Sequence, residues 1–437
     1  MKVLKFGSAS IATADQIRKV SAIVTQEQGN IIVLSSMKGT AEALSEISDY
    51  LYKKNQEGAT EIINSLEKQY TELVYELFSN DDIKSQATEV VVSKFNYIRT
   101  FTKDLFTLFE ERVVLAQGEL ISSELFHLYL LQQNINVALI PALEFMRTDK
   151  NAAPDPVYIK EKLTSLLEGA KDADLFITQG YICRNAYGEI DDLRKGGSDF
   201  SASLIGVAVE AKEIQIWANV DAMQNNDPRY VQKTAPIRQL NFDEAAELAY
   251  FGTKILHPSS ILPAKLADIP VRLKNTEYPD AQGTLISNGT EANVIKAVAA
   301  KDNITIIKIK SGRMLLAHGF LRRITEVFEN YQTSIDMLAT SEIGVSLTID
   351  DNRNLTAIVD DLKKYGTVSI DDDMVIVAII GDLGSNDMNI ASKIMGAMNE
   401  IPVKMISYGG SIYNFSFLIH KKDKEKTLQI LNQKLFN

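Results

Sequence analysis

The sequence predicts an α/β protein: a parallel sheet between layers of helix as far as about residue 291, then two smaller β-α-β-β-α-β units. Three observations predict this. Strand-like and helix-like segments alternate along the first 290 residues, the pattern of a parallel sheet covered on both faces. The strands are short apolar runs rich in β-branched residues, such as NIIVLSS at 30–36, as doubly buried strands are. Beyond residue 303 the rhythm shortens and repeats after about 70 residues.

Taken in order, VLKFGS at 3–8 reads as a strand running into a loop, 14–28 as a helix, NIIVLSS as a strand, and 40–133 as a long helical region. The strand VALIP, a helix at 157–168, the strand LFITQGYI, a helix from Gly197 and the strand IQIWANV follow. Helices at 242–250 and 259–266 and the strand PVRLKN close the larger part. The first repeat reads TIIKIK, a helix at 320–331, SIDMLA, VSLTID, a helix at 355–365 and TVSID. The second reads MVIVAIIG, a helix at 390–398, VKMISY, NFSFLIH and a helix at 424–435, and runs out of chain before its last strand. The unassigned strand VIKAVAA at 294–300 is expected to complete it, which inserts the first unit into the second.

Composition narrows the function. Apolar residues make up 45% and charged residues 24%, ordinary for a globular protein. A net charge of −11 argues against a nucleic-acid partner. Cys183 is the only cysteine, so no intrachain disulfide forms and a reducing compartment fits. Met1 leads straight into a strand-like segment with no secretory h-region, and no apolar run is long enough to span a membrane. A cytoplasmic protein with no membrane partner is expected.

Chemistry concentrates in four segments: KFGSAS at 5–10, KGGSDFSASL at 195–204, NNDPR at 225–229 and FGTKILHP at 251–258. Each puts a glycine or a helix start beside a cation or carboxylate, as phosphate binding without a P-loop requires. No G-x-x-x-x-G-K-[ST] segment exists. Lys5 ends the first strand beside Gly7, which lets backbone approach an anion. Ser198 and Asp199 open a helix whose first amides point at an anion. Gly118-Glu119 leads into the helical run LISSELFHLYLL, where an exposed glutamate at a helix start is the plain structural reading. The four histidines have no metal-site spacing.

In order and spacing these segments resemble those of aspartate kinases of the monofunctional, lysine-sensitive type with tandem ACT domains, over essentially the whole chain. The resemblance implies an amino-acid-kinase-like parallel-sheet sandwich at 1–291. Two ferredoxin-like ACT units follow at 292–437, the first at about 303–372 and the second at about 292–302 plus 373–437. It implies transfer of the ATP γ-phosphoryl group, with Mg2+, to L-aspartate, giving 4-phospho-L-aspartate at the first step of lysine, threonine and methionine biosynthesis. It also implies a homodimer built through the ACT units. Carried over, Lys5 and Asp199 are catalytic; Ser35, Glu119, Lys195 and Ser198 bind aspartate, Glu119 receiving its ammonium group. Gly7, Asn219, Gln224, Arg229 and Lys254 bind ATP, and no dedicated protein metal site is implied. An L-lysine effector would meet Met314, His318, Gly319, Phe320, Leu321, Ser334, Ile335, Asp336, Thr340, Ser341 and Glu342, with Asp336 and Glu342 facing its ammonium groups; threonine or no ligand stays open there.

Several positions depart from the family pattern: Ser8, Ala9, Ala41, Glu42, Asp191, Asp192, Lys195, Ala218, Asn219 and Gln224. Asp191 and Asp192 stand where hydroxyls are usual, and Lys195 replaces an arginine whose two parallel hydrogen bonds clamp a carboxylate. Two added carboxylates beside anionic substrates repel them, with Arg194 next door to offset part of this, so weakened or altered kinase activity is expected. Two other functions stay open: a non-enzymatic amino-acid sensor or regulatory subunit on the same scaffold, and a kinase of another small acid such as glutamate or carbamate.

Overall fold

A computed structural model describes residues 1–103, 105–193, 196–252, 256–289, 294–312, 318–384 and 388–436, with Met388 described by its backbone alone. The chain divides into two compact units. The first comprises 1–223 and 255–288, the second 224–254 and 289–437, so residues 224–254 pack with the later part of the chain.

The first unit runs β1 (Val3–Phe6), α1 (Ala14–Val24), β2 (Asn30–Leu34), α2 (Thr40–Tyr52), α3 (Gln56–Leu77), α4 (Asp81–Thr100) and α5 (Leu108–Gln132). It continues with β3 (Val137–Leu139), α6 (Ala142–Phe145), α7 (Pro156–Gly169), β4 (Leu175–Gln179), β5 (Ile182–Arg184), β6 (Ile190–Asp192), α8 (Gly197–Ala208) and β7 (Ile214–Ala218). In the second unit lie β8 (Gln239–Leu240) and α9 (Phe242–Phe251); α10 (Leu262–Leu266), β9 (Val271–Asn275) and β10 (Thr284–Ile286) return to the first. The sheet of the first unit has the order β3-β4-β2-β1-β7-β9-β10, parallel except for β10. All five residues of β2 and of β4 are buried, which explains their unbroken apolar runs. The long helical region is four helices, the last three each started by a polar cap. Asn55 accepts from Gly58 N, Asn80 from Asp82 N and Ile83 N, and Thr107 forms a capping box with Glu110. Successive helices pack on one another around Ile47, Ile63, Tyr70, Phe95 and Phe126.

The second unit continues β11 (Ile295–Lys310), α11 (Phe320–Asn330), β12 (Met337–Ser341), β13 (Gly344–Ile349), α12 (Leu355–Leu362), β14 (Thr367–Gly381), α13 (Met388–Ala397), β15 (Val403–Tyr408), β16 (Asn414–His420) and α14 (Lys424–Phe436). Here the structure differs from the segment-by-segment reading. VIKAVAA and TIIKIK are halves of one strand, β11, and TVSID and MVIVAIIG are halves of β14. Each pair is joined through a residue at positive φ, Asn303 at 60° and Asp373 at 55°, where the register shifts. The polar residues that read as breaks are bulges within continuous strands. Ile295–Lys301 runs antiparallel to Ile376–Gly381, and Ile304–Lys310 to Thr367–Met374, within the sheet order β12-β13-β11-β14-β16-β15. Two apolar cores result. One gathers Val298, Val377, Phe417 and Leu428, the other Ile307, Ile309, Phe328 and Leu347.

Candidate active site

The carboxyl ends of β1, β2, β4 and β7 carry Lys5, Ser35, Gly180 and Asn219 at the rim where a parallel sheet binds ligands. Lys5 Nζ lies 2.6 Å from Asp199 Oδ1, with side chains 11% and 14% exposed. Asp199 stands in the first turn of α8, entered through Gly196 and Gly197 at φ of 83° and 55°, a left-handed path that glycine takes without strain. Ser35 Oγ donates to Ser198 Oγ at 3.0 Å. A Cβ on Gly180 would fall 2.4 Å from Ser198 Cβ, so only glycine lets β4 end this close to the helix start. Gly7 N donates to Trp217 O at 3.3 Å, and Ser8 heads a 3-10 turn with its side chain at the surface.

The structure corrects the placing of Glu119. Thr107 starts α5 eleven residues before Gly118, so Gly118-Glu119 lies mid-helix, and Glu119 is buried. Its carboxylate accepts from Ser36 N at 3.3 Å. Burial raises it to about 7, against an ordinary 4.5, with the bonds to Ser36 pulling the other way. Gly118 makes the approach possible: a Cβ there would lie 2.9 Å from Ser36 Cβ. Met37 N donates to Ser122 Oγ at 3.1 Å and Gln179 Nε2 to Ser123 Oγ at 2.6 Å, tying α5 to the ends of β2 and β4.

The turn into the hairpin β5–β6 adds a group that the linear reading missed. Tyr181, at φ 66°, donates its backbone N–H to Ser201 Oγ at 2.8 Å, and its hydroxyl bonds Asp192. Burial and the charges of Asp192, Glu119 and Asp191 push the Tyr181 phenol well above its usual range. Asp191 is 6% exposed, and its carboxylate pairs with Arg112 Nη1 at 3.0 Å. The partner of Asp191 among the described residues is thus a cation from α5; Arg194 lies outside them. Arg112 precedes Glu119 by seven residues, hence on the same helical face, a signal available once α5 is known to begin at Leu108. Among the described residues no three His, Cys, Asp or Glu side chains converge into a metal cage.

Lys195, Lys254 and Met314 lie outside the described residues. Two expected ATP-binding residues belong to the second unit: Gln224 bridges Pro236, and exposed Arg229 grips Asp227 through Nε at 2.9 Å and Nη2 at 2.6 Å. Of the expected effector residues, Gly319 caps α11 at φ 78°, Phe320 and Leu321 begin that helix, and exposed His318 precedes it. Ser334, Ile335 and Asp336 lead into β12 rather than lie within it; Thr340 and Ser341 end it, and Glu342 is exposed in the turn that follows. The Asp336 carboxylate, fully buried, already holds an ammonium group of the chain itself, Lys301 Nζ at 2.7 Å, and accepts the Tyr250 hydroxyl. Burial raises Asp336, against the pull of Lys301 and Tyr250, and its Oδ2 is buried without a hydrogen-bond partner among the described residues.

Residues 1–275 match the amino acid kinase family and residues 377–435 the ACT domain. Aspartokinase 1, chloroplastic, of Arabidopsis thaliana is 30% identical over 459 residues, covering 99% of this chain and 80% of the relative. Lysine-sensitive aspartokinase 3 of Escherichia coli is 29% identical, covering 99% of each chain. The crystal structure of E. coli aspartokinase III in complex with aspartate and ADP matches with a TM-score of 0.85 at 28% identity, covering 100% of both chains.

Proposed function

The chain belongs to the amino acid kinase family, among its aspartokinases, and from that premise we propose that it makes 4-phospho-L-aspartate under feedback by L-lysine. In this reading a β-carboxylate oxygen of aspartate attacks the γ-phosphorus of ATP, the bond to the bridging oxygen breaks, and ADP leaves. The acceptor arrives ionised, so no proton moves in the transfer. Such chemistry asks chiefly for positioning and charge stabilisation. Lys5 supplies a cation and the α8 start supplies amides, while Ser35 and Ser198 border the acceptor and Glu119 receives its ammonium group. Mg2+ would ride on the ATP phosphates, for which the chain needs few ligands of its own. The observation that carries the reading is the Lys5–Asp199 pair at the mouth of β1, next to the Ser35–Ser198 contact.

A coupled assay with aspartate, glutamate or no acceptor tests it. Aspartate-dependent ADP release is expected, and Lys5→Met should lower kcat by about 10²–10³. Turnover with glutamate alone, or none, would reject the assignment.

The effector reading rests on the relative that is lysine-sensitive by name and on Asp336, a buried carboxylate with one oxygen unpartnered among the described residues. Calorimetry with lysine should show binding to the wild type and none to Asp336→Ala; equal heats from both sink it. We further propose that the chain forms homodimers through ACT units at about 303–372 and 292–302 plus 373–437, in the cytoplasm, at the head of lysine, threonine and methionine synthesis.

A further inference from the structure

We propose that Arg112 is a specificity-determining residue of the acceptor pocket, its guanidinium cancelling the charge of Asp191 so that an anionic acid can enter. The inference rests on the aspartate-phosphorylating reading above. Asp191 and Asp192 lie in β6, against which α5 packs, and α5 carries Glu119, so the three carboxylates share one neighbourhood beside the Tyr181 hydroxyl. A dicarboxylic acid entering there meets like charge from these carboxylates. Each carboxylate has a different partner. Asp192 bonds the Tyr181 hydroxyl, Glu119 accepts from the Ser36 amide, and Asp191 pairs with the Arg112 guanidinium.

The pairing is built into two elements. Asp191 Oδ1 accepts from Asp192 N at 2.7 Å, which leaves Oδ2 to Arg112 at 3.0 Å. Both side chains are largely withdrawn from water, 16% exposed for Arg112 and 7% for Asp191, so salt screens the pair weakly. Arg112 and Glu119 lie on one face of α5, which packs against β6, so the cation and the carboxylate that receives the substrate ammonium are set by the same helix. The pocket thereby carries an extra carboxylate at little net charge. The repulsion expected from Asp191 on sequence grounds is offset from a helix that the sequence places 79 residues away.

The test is removal of the charge, read as the KM for aspartate against the KM for ATP, with the calorimetric Kd for aspartate as a readout that needs no turnover. Arg112→Met should raise the aspartate KM and Kd about ten- to a hundredfold and leave the ATP KM unchanged. Arg112→Lys keeps the charge and should stay close to the wild type. Arg112→Met combined with Asp191→Thr removes both charges and should restore aspartate binding. Melting curves identify any variant that fails to fold; if Arg112→Met does, the double variant and Arg112→Lys carry the test. A folded double variant as impaired as Arg112→Met, or equal shifts in the KM of both substrates, would overturn the assignment. Loss of aspartate binding and turnover in the wild type would instead strike the reading on which it rests.

Discussion

At the scale of single residues, the sequence marks most of the chemical groups but not their protonation. Lys5, Ser35, Ser198 and Asp199 are legible because each adjoins a strand end or a glycine-led helix start, and the structure joins them as two contacting pairs. Glu119 is legible as a residue, yet its burial is not, since that depends on Ser36 and on helices far along the chain. Burial sets a pH dependence. Glu119 sits at about 7 rather than 4.5, so its carboxylate, which we propose receives the substrate ammonium, forms only as pH rises through about 7. The kcat/KM for aspartate should therefore climb about tenfold per pH unit below that value and level off above it. Glu119→Gln should flatten the profile; a variant that keeps the climb removes Glu119 from the role. The stability sign is opposite. An acid raised on folding binds more protons in the native state between 4.5 and about 7, so its contribution is full below 4.5 and lost as pH rises through about 7. Wild-type melting temperature should fall across that window more than that of Glu119→Gln.

At the scale of elements, periodicity and caps read well, and continuity reads badly. Asn55, Asn80 and Thr107 are ordinary cap residues that divide 40–133 into helices, and each is visible in the sequence. The fusion of segments into β11 and β14 is not visible. Asn303 and Asp373 look like turn residues, and only the neighbouring strands decide that the backbone continues past them. Helix α5 gives the sharpest test of element packing. Alanine at Gly118 gains about 1 kcal/mol of helix propensity. Its Cβ, however, meets Ser36 Cβ at 2.9 Å, Thr40 Cγ2 at 3.1 Å and Leu44 Cδ1 at 3.3 Å, an overpacking worth about 1–3 kcal/mol. The terms nearly offset, so Gly118→Ala should melt within a few degrees of the wild type. The displaced Ser36 amide should nevertheless raise the aspartate KM several-fold. An unchanged KM would show that α5 and the β2 end move together as one body.

At the scale of the whole molecule, the order of motifs is legible in one dimension, and the ownership of residues 224–254 is not. That segment joins the second unit through contacts such as Val298 N to Asn225 O at 2.8 Å and Asn226 Nδ2 to Leu428 O at 3.1 Å, the latter across 202 residues. The segment also carries Gln224 and Arg229, expected to touch nucleotide, and Tyr250, bonded to Asp336 of the expected effector site. The second unit thus holds residues assigned to both ligands, and thermodynamics then fixes a relation between them. If lysine inhibits by weakening substrate binding, aspartate with ADP must weaken lysine binding by the same factor, because the cycle of four states closes. Coupling of the usual size, about 1–3 kcal/mol, corresponds to a lysine Kd raised about five- to 150-fold at saturating aspartate and ADP. Titrating lysine calorimetrically with and without those ligands measures it directly. A lysine Kd indifferent to them, in a protein whose aspartate KM rises with lysine, would break the cycle and place the inhibitory lysine elsewhere. With the site intact, Asp336→Ala should abolish both arms of the coupling together and leave aspartate affinity in the absence of lysine unchanged.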